Sequence, residues 1–507
     1  MQRLGTKTGS EVAQQVSPAL ALGRALSWNP FQRYDQRDSA FAGLIDLLPD
    51  RESIQRYYHC YRSMVHCLSP VIDMEPLELK IANHLEKRNL FPPDVASSGT
   101  IALILAVLAS GAQYSDLDPA ERRRISRDFA SKSFRALHLA NYLVRPTAPC
   151  LQTLLLLGSF IRNDGDANAS WALLGTTMRL AQSVGLHDVV NMHGLPAKDR
   201  CMRLQLWKMV LQHDSILSLC FDRPTSLPAL QLSTFVSSTT EDVLDYPQAM
   251  WGITQLCIDS LEFRNREIDF DRIHLLTTRI DSLSTRLSPH LQTRKACSSM
   301  QDRLEHYTLH LQMTFLVSVI CRPVYLVQGQ YNSRRYMDLN KKGRLALAST
   351  VRSFLSLHKL TIYAIRTWTT LHGALASALL LELLHEPDKR PEVRNMQREF
   401  LEVVIPALNE EPGDNSALSV PHIRAIAALR EISQRKSRLD SSGLVDDDSE
   451  ASPDHLLEAG ELSAHPIASP PVIGDNALDS FDSILWDTGS TFNDQFWMGL
   501  NEDFVGL

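Results

Sequence analysis

The sequence predicts an all-α protein: a large irregular helical domain with a disordered acidic C-terminal tail. Apolar residues recur at helical spacing from Ile54 to Ile432, and no series of alternating β-branched runs joined by Asn-Gly or Asp-Gly turns competes with them. A chain of 507 residues with 44% apolar content can bury a proper core, as one large or two ordinary domains. Charge is divided unevenly. Residues 441–507 hold 14 acids and no Lys or Arg, so the overall net charge of −7 leaves +7 on the first 440 residues. The expected layout is a flexible segment over 1–40, a helical domain over 41–438 and a separate tail over 439–507.

Taken in order, the N-terminal MQRLGTKTGSEVAQQ lacks the apolar core of a secretory signal, which places the eight cysteines in a reducing compartment as free thiols. The segment YYHCYRSMVHC then pairs His59 with His66 and Cys60 with Cys67 on shared helix faces. Each pair is two turns apart, roughly 10 Å, too far for one ion, so core packing is the expectation and no metal site is assigned. The longest apolar run, Ile101 to Ala109, falls far short of the roughly 20 residues that cross a bilayer, so no membrane partner is expected. In PAERRRISRDFASKSFRALHLANYL, Arg122, Arg123, Arg124, Arg127, Lys132 and Arg135 form a basic surface, read as the solvated face of a helix that buries Ile125, Phe129 and Leu137.

The next two helices are the most informative. In ASWALLGTTMRLAQSVGLHD the sets Trp171, Leu174, Met178, Ala181 and Leu173, Thr177, Leu180, Val184 give a wide buried face. Gly175 in its middle costs about 1 kcal/mol relative to Ala, so it is expected where another helix comes close. Gly185 suits the left-handed position after the helix, with Leu186 folding back. In CMRLQLWKMVLQHDSILSLCFDRP the stripe Trp207, Val210, Leu217 contains Asp214, and Arg223-Pro224 ends the helix. An acid on an apolar stripe needs a partner, and Arg179 or Arg223 is expected to supply it as a structural ion pair.

Together these segments resemble the fungal-specific transcription factor domain, the middle homology region of regulators that usually carry a six-cysteine binuclear zinc cluster. The resemblance rests on Trp171, Leu173, Gly175, Arg179, Ala181, Gly185, Leu186 and His187, then Arg203, Leu204, Trp207, Asp214, Leu217, Ser218, Arg223 and Pro224. Ser215 stands where the family usually has Arg, and Asp222 where it has Gly. Upstream, LIDLLPDRESIQRYYHCYRSMVHCLSPVID is similar to the family's opening segment. Downstream, Arg322-Pro323 resembles its second Arg-Pro helix end, and Trp368 with ALASALLLELL its late helix. About Leu44 to Leu384 is covered. The resemblance implies a nuclear regulator of a fungal gene set, such as a secondary-metabolite cluster.

The zinc chemistry of DNA binding is missing from the residues. A binuclear cluster needs six closely spaced thiolates, and no two cysteines here lie closer than seven residues. The chain is therefore expected to be a regulator without its own DNA reader, or a shortened one. It would act through a DNA-binding partner or as a homodimer, and DNA binding by the chain alone is doubtful. No phosphate loop, nucleophile elbow, H-E-x-x-H or kinase signature supports an enzyme, and no catalytic residue or cofactor is assigned. His187, His193 and His213 lie near carboxylates in sequence, but capping or partly buried packing accounts for them.

The tail joins acids to Phe481, Trp486, Phe492, Phe496, Trp497 and Phe504, the composition of an activation segment that docks on the transcription machinery or a coactivator. A tail whose aromatics pack back on the domain is the alternative. Arg435, Lys436 and Arg438 form a short basic run suited to nuclear import. The alternatives for the whole chain are a helical regulatory or ligand-sensing subunit paired with a separate DNA-binding protein, and, with less support, an enzyme on a helical scaffold.

Overall fold

Helix after helix starts on a side chain that holds its first free N–H groups. Asp50 caps α1 (Arg51–Tyr61), and Asp118 caps the helix whose first residue is Pro119. Asp166, Asp269 and Ser333 do the same further on, and Ser299 with Asp302 forms a reciprocal capping box. The computed structural model describes residues 43–86, 95–188, 192, 194–227, 243–262, 268–326, 333–384, 391–409, 418–442, 481, 484 and 485. Among them the longer helices after α1 are α2 (Met74–Glu86), α3 (Val95–Gln113), α4 (Pro119–Leu139), α5 (Ala148–Asn163), α6 (Ala167–Ser183), α7 (Ala197–Phe221), α8 (Tyr246–Glu262), α9 (Phe270–Thr285), α10 (Met300–Ile320), α11 (Arg334–His358), α12 (Trp368–Leu383), α13 (Pro391–Asn409) and α14 (Val420–Ser442). The one strand-like pairing described is the bridge between Leu244 and Leu287.

Two helices are apolar on nearly every face, and a helix of that kind must be covered all round. Helix α3, buried continuously from Ile101 to Ala112, is packed by α1, α4 and α5. Helix α12, buried from Trp368 to Leu380, is packed by α10, α11 and α14. Helix α7 joins the two sets, touching α5, α6 and α8 along its length and α12 near its end. One hydrophobic core runs through both, from Leu44 to Leu485.

Close approaches occur where glycine permits them, though not at the expected place. A Cβ on Gly111 of α3 would overlap the Tyr57 backbone carbonyl of α1, and one on Gly343 of α11 would overlap the Tyr325 hydroxyl. Gly175, expected at such a contact, has nothing within 4 Å of where its Cβ would stand, which corrects that expectation. Gly185 takes the left-handed φ of 75° foreseen for it, with Leu186 N–H bonded back to the Ala181 carbonyl at 3.1 Å.

Candidate functional site

The expected ion pair at Asp214 does not form. Helix α7 ends at Asp222 in the left-handed conformation, φ 54°, where the resembling family has glycine. That reversal sends residues 223–226 back along α7 and brings Ser226 to Asp214. The buried carboxylate accepts the Ser226 N–H at 2.9 Å and its hydroxyl at 2.8 Å. Burial raises the Asp214 pKa and these two bonds oppose the rise. Arg179 is exposed and bonds Gln182 at 3.2 Å. Arg223 lies over the Trp171 and Phe221 rings at 4.8 and 4.5 Å and donates to Asn168 at 3.0 Å.

The other motif residues lock α6 to α7. Trp171, only half-buried, donates its indole N–H to the Ser218 hydroxyl at 3.4 Å, and Ser218 donates to the Pro224 carbonyl at 3.4 Å. Trp207 is fully buried, with the His187 ring centroid 6.3 Å away.

Arg322 and Pro323 follow Cys321, which caps the end of α10. The guanidinium is 3.8 Å from Asp222 and stands 4.8 Å over the Phe481 ring, and burial pushes its pKa down to about 10. Phe481, Ile484 and Leu485 are buried, at 2%, 1% and 2% exposure. Phe481 enters a groove with Leu219, Phe315, Leu347 and Leu380. This corrects the expectation of an accessible Phe481: its acidic neighbours do not keep it in water, because an apolar groove and a cation receive the ring. Trp486, Phe492, Phe496, Trp497 and Phe504 lie outside the described residues. Of Arg435, Lys436 and Arg438 only the helical backbone of α14 is described.

Sequence reasoning missed a cavity of about 90 Å³ bordered by α3, α5, α7, α8 and α10. Its charged group is Arg162, in the last turn of α5 and 7% exposed. The Nε has no partner and Nη2 donates a long bond to Ser159 at 3.4 Å. No described carboxylate pairs with it. His213 of α7 lies between the hydroxyls of Ser69 and Ser159, at 3.3 and 3.4 Å. Burial first, then Arg162, push its pKa down to about 3. Asn163 donates to the Tyr114 hydroxyl at 3.1 Å, and Tyr114 shares a 2.8 Å bond with Thr367. The clue in the sequence is the one that exposed Asp214: Arg162 continues the apolar stripe of Leu151, Leu155 and Gly158.

Among the described residues, His213 and its two serines do not make a reaction centre. A serine–histidine contact needs a base that holds a proton near neutrality and an acid to orient it, and His213 has neither. No cluster of three metal-ligating side chains occurs among the described residues. The basic helix α4 uses several charges structurally: Arg127 pairs with Asp164 at 2.8 Å, Lys132 with Asp128 at 2.7 Å, and Arg122 donates to the Leu117 carbonyl. No described helix is long and apolar enough to cross a membrane.

Residues 85–247, from the end of α2 to the start of α8, match the family model for the fungal specific transcription factor domain. The chain is 26% identical over 193 residues to the lactose regulatory protein of Kluyveromyces lactis, which covers 36% of this chain and 20% of that protein. It is 26% identical over 207 residues to the transcription factor phm2 of a Pyrenochaetopsis species, covering 38% and 27%. It is 24% identical over 150 residues to the agnestins biosynthesis cluster transcription factor of Paecilomyces divaricatus, covering 29% and 22%. The chain thus spans between 20% and 27% of the length of these relatives. Among solved structures it is similar to the Kluyveromyces lactis CBF3 core, with a TM-score of 0.54 and 14% identity over 80% of this chain and 91% of that one. At that identity the likeness is one of fold.

Proposed function

We propose, with a fungal specific transcription factor domain at residues 85–247 as premise, that this chain regulates transcription of a fungal gene set from the nucleus, with a secondary-metabolite cluster as the favoured target. The domain match carries the proposal. It contains the whole lock between Trp171, Ser218, Arg223 and Pro224, so the residues that define the family here also tie its helices together. The activating part is assigned to the tail beyond Leu485, where Trp486, Phe492, Phe496, Trp497 and Phe504 alternate with acids. The basic run at Arg435, Lys436 and Arg438 would serve import. With no closely spaced cysteine pairs, sequence-specific DNA contact is assigned to a partner protein.

The full chain fused to a heterologous DNA-binding domain should activate a reporter, and replacing Trp486, Phe492, Phe496 and Trp497 together by Ala should abolish that activity. Undiminished activation in the quadruple variant would defeat the assignment of the tail. The unfused chain should hold DNA weakly and without sequence preference, and a nanomolar, sequence-specific complex at physiological salt would overturn the partner requirement. The cavity around Arg162 favours a second reading, a ligand-sensing subunit paired with a separate DNA-binding protein. The first reading holds if the tethered chain activates without a fungal partner, the second if it does not.

A further inference from the structure

Among the described residues, Arg162 is a buried cation without a buried anion beside it. Removing a guanidinium from water costs several kcal/mol unless charge and hydrogen bonds replace the lost hydration. In this fold it receives the negative end of α5 and one long bond to Ser159, while Nε is left with no partner. The half-buried Arg366 does better, donating to the Gln113 and Ser115 carbonyls at 3.3 and 2.7 Å. The space beside Arg162 is not filled by protein. It measures about 90 Å³, room for a molecule of a few heavy atoms. The Thr308 hydroxyl, on the same lining, is also buried without a partner. Leu156, Ile216 and Met250 add apolar surface, and the half-buried Ser69 and Asn163 bring the cavity toward solvent.

We propose that this cavity is a binding site for a small organic monocarboxylate, whose carboxylate pairs with Arg162 and whose carbon chain lies against Leu156, Ile216 and Met250. One permanent positive charge matches one negative charge. His213 stays neutral in its buried position, so nothing else in the lining balances a dianion. The flat fork of the guanidinium fits a carboxylate in two parallel bonds, and the Ser159 and Thr308 hydroxyls complete the polar end. The inference goes beyond the transcriptional reading and does not depend on it.

The test uses the purified full chain, with melting temperature and calorimetric titration as readouts. The probes are sodium salts of monocarboxylates from acetate to hexanoate, succinate and inorganic phosphate, at an ionic strength held constant with sodium chloride. At least one monocarboxylate should raise the melting temperature in a saturable way, and Arg162→Met should weaken its binding by about tenfold or more. Arg162→Met should itself melt no lower than the wild type without ligand, because it removes an unpaired buried charge. If Arg162→Met does not fold, Ser159→Leu, which fills the cavity and leaves the cation, serves in its place and should also abolish binding. Absence of any monocarboxylate effect on the wild type overturns the proposal, as does binding that survives the substitution. Equal or stronger stabilisation by phosphate or succinate overturns the ligand class. No DNA or reporter enters the measurement, so its failure leaves the transcriptional reading standing.

Discussion

At the scale of single residues, Asp214 shows what an apolar stripe reveals and what it hides. Its burial and its need for a partner were legible, since a carboxylate between Trp207, Val210 and Leu217 must enter the core with them. The partner was not legible. Ser226 is twelve positions along the chain and reaches Asp214 only because Asp222 takes a left-handed conformation that an Asp seldom adopts. The same geometry fixes the energetics. Asp214→Ala leaves the Ser226 N–H and hydroxyl without their acceptor and should cost about 2–3 kcal/mol in urea unfolding, whereas Asp214→Asn keeps one acceptor and should cost about 1. A double-mutant cycle should show coupling of Asp214→Ala with Ser226→Ala and none with Arg223→Ala or Arg179→Ala. Coupling to either arginine would restore the ion pair that the geometry rules out.

Among the elements, helix starts and the two buried helices were readable because caps and apolar runs are local signals. Which glycine lets two helices touch was not, since that depends on what lies across from it. Gly175 and Gly111 make the contrast measurable. Gly175 sits inside α6 with open space beyond it, so Gly175→Ala should stabilise the fold by roughly 0.5–1 kcal/mol through helix propensity and a less flexible unfolded chain. At Gly111 a methyl group would meet the Tyr57 carbonyl, backbone that cannot rotate aside, so Gly111→Ala should cost about 1–3 kcal/mol as α1 is pushed off α3. A destabilising Gly175→Ala would mean that α6 has a neighbour here unaccounted for. The tail was legible in part for the same reason: its charge is a local count, whereas the seat of Phe481 is built from α7, α10, α11 and α12.

For the whole molecule, the core joins helices far apart in sequence through buried histidines, and this sets how its stability follows pH. Trp368 stacks on His372 and His422 with centroids 4.5 and 5.0 Å away, tying α12 to α14, and His213 ties α7 to α5. Burial lowers all three pKa values: His213 to about 3 with Arg162 adding to the effect, His372 to about 4, and His422 well below 6.5 with His372 adding to it. The folded protein keeps these rings neutral while the unfolded chain protonates them from about 6.5 downward. Their contribution is therefore complete above about pH 6.5 and is lost as pH falls through the interval down to the folded values, by up to roughly 1.4 kcal/mol per pH unit for each histidine. Asp214, whose pKa is raised by burial, acts in the opposite sense, but it is one group set against three histidines. Urea midpoints measured from about pH 7 to about pH 5 should accordingly fall, and His213→Gln should make the fall shallower. Stability that stays level across that range would show that the rings take up protons in place. Their burial would then not exclude protons, against the lowered values that burial gives them.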